Sequence, residues 1–454
     1  MHATNRQYWL KSGSYTLLTN LQTLLFGFGA FYFLVRMLDK EAFGAWALFV
    51  ATTTIFETAR NGMIQNGLIK FLSHSTDRDY REIVSASCFL SSLLMIACVI
   101  INFSVASLLA DLWHYRELAQ MFYVYNIAYI LQGILSQFQW IEQANLSFKG
   151  ILATNMIRQG GFFFYILVCF IFHVNLQLMH LVYAQIILAL AGSIMQYFFI
   201  KKQLLFSAKI NMSWVRQLFN YGKFVFGTSI SAILTGTINQ MMLGALLSSA
   251  AAGAFNIAVR ILNLAAIPSN VAGTIVFPQS ARRFAAEGHQ AIKYLYEKSV
   301  GAILAILIPC LVFLFLFPGF VVHIIAGNNY PETIPVVRLI VITCLATPFA
   351  RQFGTILDSI GKPRINFIII LISVTMELIL VYLLVKQYGI IGAVYATLIA
   401  DAVTTLVMQL ILRKELNVNI LNTFVYAVKF YPEFFNKYLK PMFGVHSART
   451  KAHE

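Results

Sequence analysis

The sequence predicts an all-α, polytopic membrane protein with about twelve transmembrane helices. Of its 454 residues, 59% are hydrophobic and only 11% are charged, and the mean hydropathy is +0.72. A water-soluble globule cannot bury this much apolar surface, so a lipid bilayer must cover it. The apolar runs are also about 20 residues long, as membrane-spanning helices are, whereas strands of a membrane barrel form segments of about 10 residues with alternating polarity.

Short polar segments separate the predicted membrane helices. Their apolar cores cover residues 15–37, 42–66, 83–109, 117–138, 150–172, 179–200, 223–247, 252–277, 294–317, 333–356, 365–385 and 389–412. The first run is too long for the core of a signal peptide and has no small-residue cleavage pattern before Arg36, so we expect the first helix to remain in the protein. After the last core, the tail contains KFYPEFFNKYLK, which predicts either an amphipathic segment at the membrane interface or a disordered one.

The lysines and arginines predict how the chain is oriented in the membrane. The net charge is +15, and most of the 33 cations fall on one side of the membrane if the N-terminus is cytoplasmic. An excess of Lys and Arg is typical of cytoplasmic loops, so we expect both termini in the cytoplasm. Attraction to anionic lipid head groups explains the positive charge better than nucleic-acid binding does.

The chain carries an internal repeat. Gly13 and Gly44 recur as Gly222 and Gly253, both at an offset of 209 residues. A duplicated unit of six helices explains the offset and places both copies in the same orientation, and transporters with such parallel repeats hold their substrate between the halves. Alternatively, small residues simply suit tight hairpins between helices. We predict a six-helix lobe at residues 1–200, a basic cytoplasmic linker at 201–222, a second six-helix lobe at 223–412 and a cytoplasmic tail at 413–454.

Five segments carry a resemblance to a known family. In chain order they read RMLDKEAFGAWALF, ARNGMIQNGLIKFL, QANLSFKG, FNYGKFVFGTSI and AAAGAFNIAVRILNLAAIPSNVAGTIVFPQSARRF. Together they resemble the polysaccharide-biosynthesis flippases, which are O-antigen (Wzx-type) transporters of the multidrug/oligosaccharidyl-lipid/polysaccharide exporter superfamily. The resemblance spans roughly residues 10 to 412. One departure is Asn239, where family members often carry an acid in the seventh helix, which puts ion coupling through that position in doubt.

The resemblance implies both an architecture and a function. Two six-helix lobes are expected to form a V around a central cavity and to move a polyprenyl-pyrophosphate-linked oligosaccharide from the cytoplasmic to the outer leaflet. The setting would be a bacterial cytoplasmic membrane. Membrane lipids, H⁺ or Na⁺ and polysaccharide-assembly proteins are the candidate partners.

Four arginines within or near the apolar runs are candidates for substrate binding. They are Arg60, Arg158, Arg260 and Arg351. An ionisable side chain at the bilayer centre costs about 2.5–3.5 kcal/mol, so those that persist usually face a cavity or a partner. A guanidinium group donates paired hydrogen bonds and stays charged, which suits a pyrophosphate. Alternatively, each arginine extends towards the cytoplasmic head groups.

Three polar stripes are further candidates for lining the cavity. Glu57 shares a helix face with Thr53 and Arg60, although Glu57 and Arg60 could instead neutralise each other at a spacing of three residues. Asn20 and Asn239 belong to the other two stripes, the first with Thr16 and Thr23 and the second with Thr228, Ser231 and Thr235. These two stripes are expected either to line a wet cavity for a sugar chain or to hydrogen-bond neighbouring helices.

Two acids near the middle of late helices are candidates for ion coupling. Asp401 shares a face with Thr397, Thr404 and Thr405, and Glu377 shares one with Ser373. Carboxyl groups buried in a membrane can couple transport to H⁺ or Na⁺. Alternatively, they hydrogen-bond across the helix bundle in a protonated state.

Several function classes are disfavoured. The sequence lacks a GxxxxGK[ST] phosphate loop, so ATP is not expected to drive transport directly. The five cysteines lie singly in apolar runs, and no catalytic, metal or cofactor site is expected. A polymerase or ligase would need more catalytic groups than the longest outward loop, 318–333, provides with one acid and His323. A multidrug cation/proton antiporter of the same superfamily is the nearest alternative, which Glu57 and the two late acids keep open.

Overall fold

The computed structural model describes residues 2–73, 75–265, 289–359 and 362–436. Every regular element in these ranges is helical, and ten of the helical segments are long and apolar enough to cross a membrane. The predicted all-α membrane fold is therefore confirmed. The count of twelve spans stays a prediction: Met212–Leu246, which covers the predicted seventh helix, is not among these ten, and the predicted eighth helix, 252–277, lies partly outside the described residues.

The first of two compact units ends at Gly253, and the second begins at Ala254. The helices up to and across this boundary are α1 His2–Met37, α2 Lys40–Leu72, α3 Asp77–Leu112, α4 Glu117–Ala144, α5 Lys149–Asn155, α6 Gly161–Ile171, α7 Leu178–Ile200, α8 Met212–Leu246 and α9 Ser249–Ala265. A π-helical turn, Met156–Gly160, joins α5 to α6, so the predicted fifth helix is continuous but locally widened.

The second unit continues with seven described α-helices. They are α10 His289–Leu316, α11 Pro318–Ala326, α12 Thr333–Ile340, α13 Thr347–Ser359, α14 Pro363–Tyr388, α15 Ile390–Leu416 and α16 Ile420–Phe434. The predicted tenth helix, 333–356, is interrupted by a 3₁₀ turn, Val341–Leu345. Pro348 follows this turn, and because proline lacks an N–H it is tolerated in the first turn of α13 but not inside a continuous helix.

The helix boundaries repeat at the offset that the glycines show. α1 ends at Met37 and α8 at Leu246, while α2 begins at Lys40 and α9 at Ser249. The caps repeat as well: Asp39 Oδ1 accepts the N–H of Ala42 at 2.7 Å, and Ser248 Oγ accepts the N–H of Ala251 at 3.2 Å. Each side chain satisfies a backbone donor that the first turn of a helix leaves unpaired. Residues 38–44 and 247–253, which we call the two elbows, therefore have the same local structure.

The two elbows also contact each other inside the first unit. A Cβ atom added to Gly44 would lie 1.7 Å from the carbonyl oxygen of Ser249, and one added to Gly253 would lie 2.9 Å from Cα of Gly44. Only glycine permits backbones to approach this closely. The small residues in both elbows thus serve a helix contact, which is more than the tight hairpin alone requires.

Close packing continues along α2 and α8. A Cβ atom on Gly222 would lie 1.8 Å from the carbonyl oxygen of Met63, and Ile64, Leu68 and Leu218 are buried together in one apolar cluster. As a result α8 belongs to the first compact unit. The predicted division into lobes at residues 201–222 follows the repeat and stays a prediction.

The described part of the tail contains a helix that packs lengthwise on α10. Asn422 contacts Glu297, a Cβ atom on Gly301 would meet Tyr426, and Tyr431 donates a hydrogen bond to the Ala305 carbonyl at 2.6 Å. The contacts advance in the same direction along both helices, so α16 runs parallel to α10. The tail therefore begins as an ordered helix, with its apolar cluster partners in α10, α13 and α15.

Candidate functional site

The first unit contains a cavity of about 210 Å³ among α2, α4, the π-helical turn, α6 and α7. Its lining is rich in polar side chains, which include Thr53, Glu57, Tyr125, Gln132, Arg158 and Gln185. These side chains come from helices that are apolar enough to span a membrane. A polar cavity inside a membrane bundle is the usual place for a ligand or ion pathway.

A chain of hydrogen bonds crosses this cavity from an acid to a cation. The Tyr125 hydroxyl donates to Glu57 Oε1 at 2.9 Å, and Gln132 Nε2 donates to the Tyr125 oxygen at 3.0 Å. At the other end, Arg158 Nη2 donates to Gln132 Oε1 at 3.2 Å. Two neutral side chains therefore connect the carboxylate of Glu57 to the guanidinium of Arg158.

Glu57 and Arg158, the charged groups at the two ends of this hydrogen-bond series, have few hydrogen-bond partners within the protein. No salt bridge joins Glu57 or Arg158 to an opposite charge in the described residues, and Gln132 is the one hydrogen-bond partner of the Arg158 guanidinium there. An arginine side chain carries five N–H donors, so most of those of Arg158 remain for water or a ligand. The cavity can therefore bind a group that offers several acceptor oxygens.

Local backbone structure places Arg158 in the cavity. Arg158 and Gln159 lie in the π-helical turn, and both side chains line the cavity. A π-helical turn changes which residues face a neighbouring helix, and such turns are frequent at functional sites. Gly192 of α7 makes room for the arginine stem, because a Cβ atom there would lie 3.2 Å from Arg158 Cγ.

Arg60, a candidate for the central cavity in the sequence analysis, is buried between α2 and α4. It is 1% exposed, and its guanidinium donates to the Tyr129 carbonyl, to Asn61 Oδ1 and to Ser136 Oγ. The same group lies 4.9 Å from the centre of the Tyr129 ring. It forms no ion pair with Glu57, so the alternative of a self-neutralised couple does not describe the structure.

The remaining predicted residues lie on other elements. Asn20 of α1 is exposed, Asn239 of α8 is buried, Arg260 of α9 is half-buried and Arg351 of α13 is exposed. In the first stripe, the hydroxyl of Thr23 donates to a carbonyl of its own helix. The side chains of Thr16, Thr228, Ser231 and Thr235 lie outside the described part of the chain.

The two candidate coupling acids lie on the paired helices α14 and α15 of the second unit. Glu377 is 5% exposed and accepts a hydrogen bond from Thr397 at 3.0 Å, while Thr404 donates to Ser373 at 3.0 Å. Asp401 is half-buried and close enough to Glu377 for the two carboxyl groups to interact electrostatically. Thr397 and Thr404, predicted to share the face of Asp401, thus bond to residues of α14.

Sequence reasoning missed the neutral members of the cavity. Tyr125 and Gln132 lie seven residues apart on α4, a spacing that puts them on one face of a helix. That spacing indicates a shared polar face. Neutral polar residues are common within membrane helices, however, so they are weaker indicators of a binding site than charged residues are. It also missed Glu142 near the end of α4, which is 1% exposed and accepts hydrogen bonds from Ser147, from the N–H of Gly150 and from Gln196 of α7.

Solved structures of membrane transporters share this fold. The chain is similar to a structure described as lipid II flippase MurJ in an inward closed conformation, with a TM-score of 0.70, 15% identity, and coverage of 94% of this chain and 92% of that one. It is also similar to an inward-facing multidrug resistance MATE family transporter of the MOP superfamily, with a TM-score of 0.72, 15% identity, and coverage of 86% and 94%. At this identity the likeness concerns the fold alone.

Sequence relatives come from archaea and bacteria. The chain is 26% identical over 200 residues to the uncharacterized membrane protein MJ1068 of Methanocaldococcus jannaschii and 24% identical over 190 residues to the probable low-salt glycan biosynthesis flippase Agl15 of Haloferax volcanii. These alignments cover 44% and 42% of this chain but only 39% and 40% of the relatives. It is 20% identical over 344 residues to the lipopolysaccharide biosynthesis protein WzxC of Escherichia coli, covering 74% of this chain and 66% of that protein.

A protein-family model also matches the chain. Residues 33–335 match the model described as polysaccharide biosynthesis protein, and this range includes every residue of the cavity in the first unit. The match confirms the family resemblance that the sequence motifs predicted. The chain belongs to the polysaccharide biosynthesis protein family.

Proposed function

We propose that this multi-pass membrane protein is a flippase that moves a polyprenyl-pyrophosphate-linked oligosaccharide from the cytoplasmic to the outer leaflet by alternating access. The observation that supports this most is the polar cavity of the first unit, in which Arg158 has free donors and no acidic partner among the described residues. Membership of a polysaccharide-biosynthesis family supports a glycan-bearing substrate. Both termini would be cytoplasmic in a bacterial cytoplasmic membrane.

The chemistry of the cavity suits the head of such a substrate. The planar fork of Arg158 can donate two parallel hydrogen bonds to phosphate oxygens and keeps its charge at any physiological pH. Thr53, Gln132 and Gln185 can exchange hydrogen bonds with sugar hydroxyls. Several weak hydrogen bonds suit a transported ligand, because the ligand must be released from the cavity after it binds.

The energy for transport would come from a source other than ATP. Moving one charge through 100 mV is worth about 2.3 kcal/mol, so an inside-negative potential favours outward movement of an anionic substrate. Glu377 and Asp401 are the candidates for coupling to H⁺ or Na⁺, since their carboxyl groups interact within the membrane helices α14 and α15. In this proposal Asn20, Asn239, Arg260 and Arg351 are secondary candidates for substrate contact.

The test is a leaflet assay on cells that lack the gene. Deletion should make the polyprenyl-linked oligosaccharide accumulate on the cytoplasmic leaflet, and the wild-type gene should reverse this. Arg158→Gln should lower the transport rate about 50-fold, because losing a charge-assisted contact to a phosphate costs about 2–3 kcal/mol. The matched control is Arg216→Gln, which removes the same charge from an exposed position on α8. Equal transport by the two variants would contradict the proposal for Arg158.

A multidrug cation exporter is the second candidate, favoured by the presence of Glu57 in the same cavity. An exporter would need the carboxylate to bind a cationic drug, so Glu57→Gln would raise drug sensitivity while leaving the oligosaccharide distribution unchanged. The flippase proposal expects the deletion strain to keep wild-type drug sensitivity. Drug sensitivity in the deletion strain without oligosaccharide accumulation would replace the flippase by the exporter.

A further inference from the structure

A second, more open pocket lies in the second unit where α10 begins, α15 ends and α16 begins. Its volume is about 720 Å³, and three of its lining residues are cations: Lys293 of α10 with Arg413 and Lys414 of α15. Lys293 is half-buried, and the other two side chains are exposed. None of the three forms a salt bridge within the described residues.

The two acids of this pocket are already committed to other groups. Glu297 is 2% exposed, and its carboxylate accepts hydrogen bonds from the backbone N–H of Asn419 at 2.8 Å and from Asn422 Nδ2 at 2.9 Å. Glu415 pairs with Lys362. The carboxylate of Glu297 thus holds the α15–α16 connection. Because neither acid pairs with the three cations, the pocket keeps an excess of positive charge at its mouth.

An apolar surface continues from the pocket along α16. Leu421, Phe424, Val425 and Val428 follow the spacing of a single helix face and are 67%, 47%, 48% and 71% exposed. The opposite face of α16 packs on α10 through Gly301, and the helix runs parallel to α10, away from the pocket. Because α10 is long and apolar enough to span a membrane, this exposed face lies where acyl chains would cover it.

We propose that this pocket binds the phosphate-bearing head group of an anionic membrane phospholipid, with the acyl chains lying along the exposed face of α16. Phosphate complements the three cations, and the adjoining apolar face complements the chains. In the expected orientation this end of the bundle is cytoplasmic, where basic pockets between membrane helices meet anionic head groups. The proposal concerns a lipid site and is independent of the transported substrate.

The test measures lipid binding to the purified full-length protein in detergent micelles. Short-chain phosphatidylglycerol and phosphatidylcholine with the same chains are titrated separately, and bound lipid is counted by native mass spectrometry. We expect phosphatidylglycerol to bind at least about tenfold more tightly, because three cations at the cytoplasmic end of a membrane bundle favour an anionic head group over a zwitterionic one. The triple variant Lys293→Gln, Arg413→Gln, Lys414→Gln should lose this preference.

Matched variants separate the site from general surface charge. Lys201→Gln, Lys202→Gln, Arg216→Gln removes two lysines and one arginine from exposed positions of the first unit and should keep the preference. If the first triple variant does not fold, Lys293→Arg, Arg413→Lys, Lys414→Arg retains the charges and should keep the preference as well. An equal loss in both Gln variants, or a loss in the charge-preserving variant, would overturn the site.

Inorganic phosphate distinguishes a lipid site from a simple anion site. At millimolar concentration it should compete weakly, because it lacks chains that contact α16. Complete displacement of phosphatidylglycerol by an equal concentration of inorganic phosphate would mean that the pocket binds a free anion, and the lipid proposal would then be wrong.

Discussion

Two carboxylates of the first unit, Glu142 and Glu57, are buried to different degrees and satisfied in different ways. Glu142 accepts hydrogen bonds from Ser147 Oγ at 2.9 Å, from the Gly150 N–H at 2.8 Å and from Gln196 Nε2 at 2.6 Å. Glu57 accepts one, from Tyr125, and faces a cavity. The first group holds the connection between α4 and α5, whereas the second has acceptor capacity to spare.

The same contrast separates the two arginines Arg60 and Arg158. Arg60 donates to three neighbours and is almost completely buried, while Arg158 donates to one and lines the cavity. A charged side chain in a membrane protein therefore does not mark a ligand site by its presence. The number of its partners and the space beside it distinguish a structural role from a functional one.

The largest effect is expected on stability when Glu142 is replaced. Glu142→Ala leaves three donors without an acceptor, one of them a backbone N–H, and should lower the free energy of unfolding by about 3 kcal/mol. The melting temperature of the purified protein should fall by roughly 3–6 °C, since the shift per kcal/mol becomes smaller as the cooperative unit becomes larger. The control Glu117→Ala removes an exposed acid from the other end of α4 and should change it far less. An unchanged melting temperature in Glu142→Ala would mean that complete hydrogen bonding of a buried carboxylate does not identify a structural group in this protein.

A smaller effect is expected when Arg60 is replaced. Arg60→Met keeps a long unbranched side chain but removes the charge and its hydrogen bonds, so the free energy of unfolding should fall by about 2 kcal/mol, less than in Glu142→Ala because no backbone N–H loses its acceptor. Transport per folded molecule should stay within about threefold of wild type, since this is less than the loss of one ordinary hydrogen bond. A transport defect as large as that of Arg158→Gln would show that Arg60 contacts the substrate after all.

The smallest effect is expected at Gly192, which tests how closely the arginine is positioned. Gly192→Ala places a methyl group 3.2 Å from Arg158 Cγ, so the stem must move by a few tenths of an ångström. We expect transport to fall about two- to threefold with little change in melting temperature, because misplacement weakens a contact without removing it. Gly227→Ala, where a Cβ atom meets nothing within 4 Å, is the control in a different helix. Equal rates for both variants would indicate that Arg158 tolerates displacement.

Much of the fold could be predicted from the sequence, because each span needs its own apolar run. The predicted cores coincide with α2 to α4, α7, α10, α14 and α15 within several residues, whereas α1 begins at His2, well before its predicted core at residue 15. The π-helical turn at Met156–Gly160 and the 3₁₀ turn at Val341–Leu345 were not predicted, since both depend on packing against neighbouring helices that hydropathy does not describe.

The candidate site could be predicted only in its charged members. Glu57 and Arg158 were predicted as cavity residues because charges are costly in a membrane. Tyr125 and Gln132 connect them, yet no property of these neutral residues alone says which face of α4 meets the cavity. The role of Arg60 likewise depends on Tyr129 and Ser136, which are 69 and 76 residues away in the chain.

The contact between Gly44 and Gly253 has a consequence for how the two elbows can vary in sequence. These glycines occupy equivalent positions of the two repeats, and each lies against the other's backbone. Because the backbone of each elbow occupies the space that a side chain on the other elbow's glycine would need, neither position can be enlarged without moving the opposite elbow. A substitution at Gly44 must therefore be accompanied by a shift of α9, so these two distant segments of the chain constrain each other's sequence.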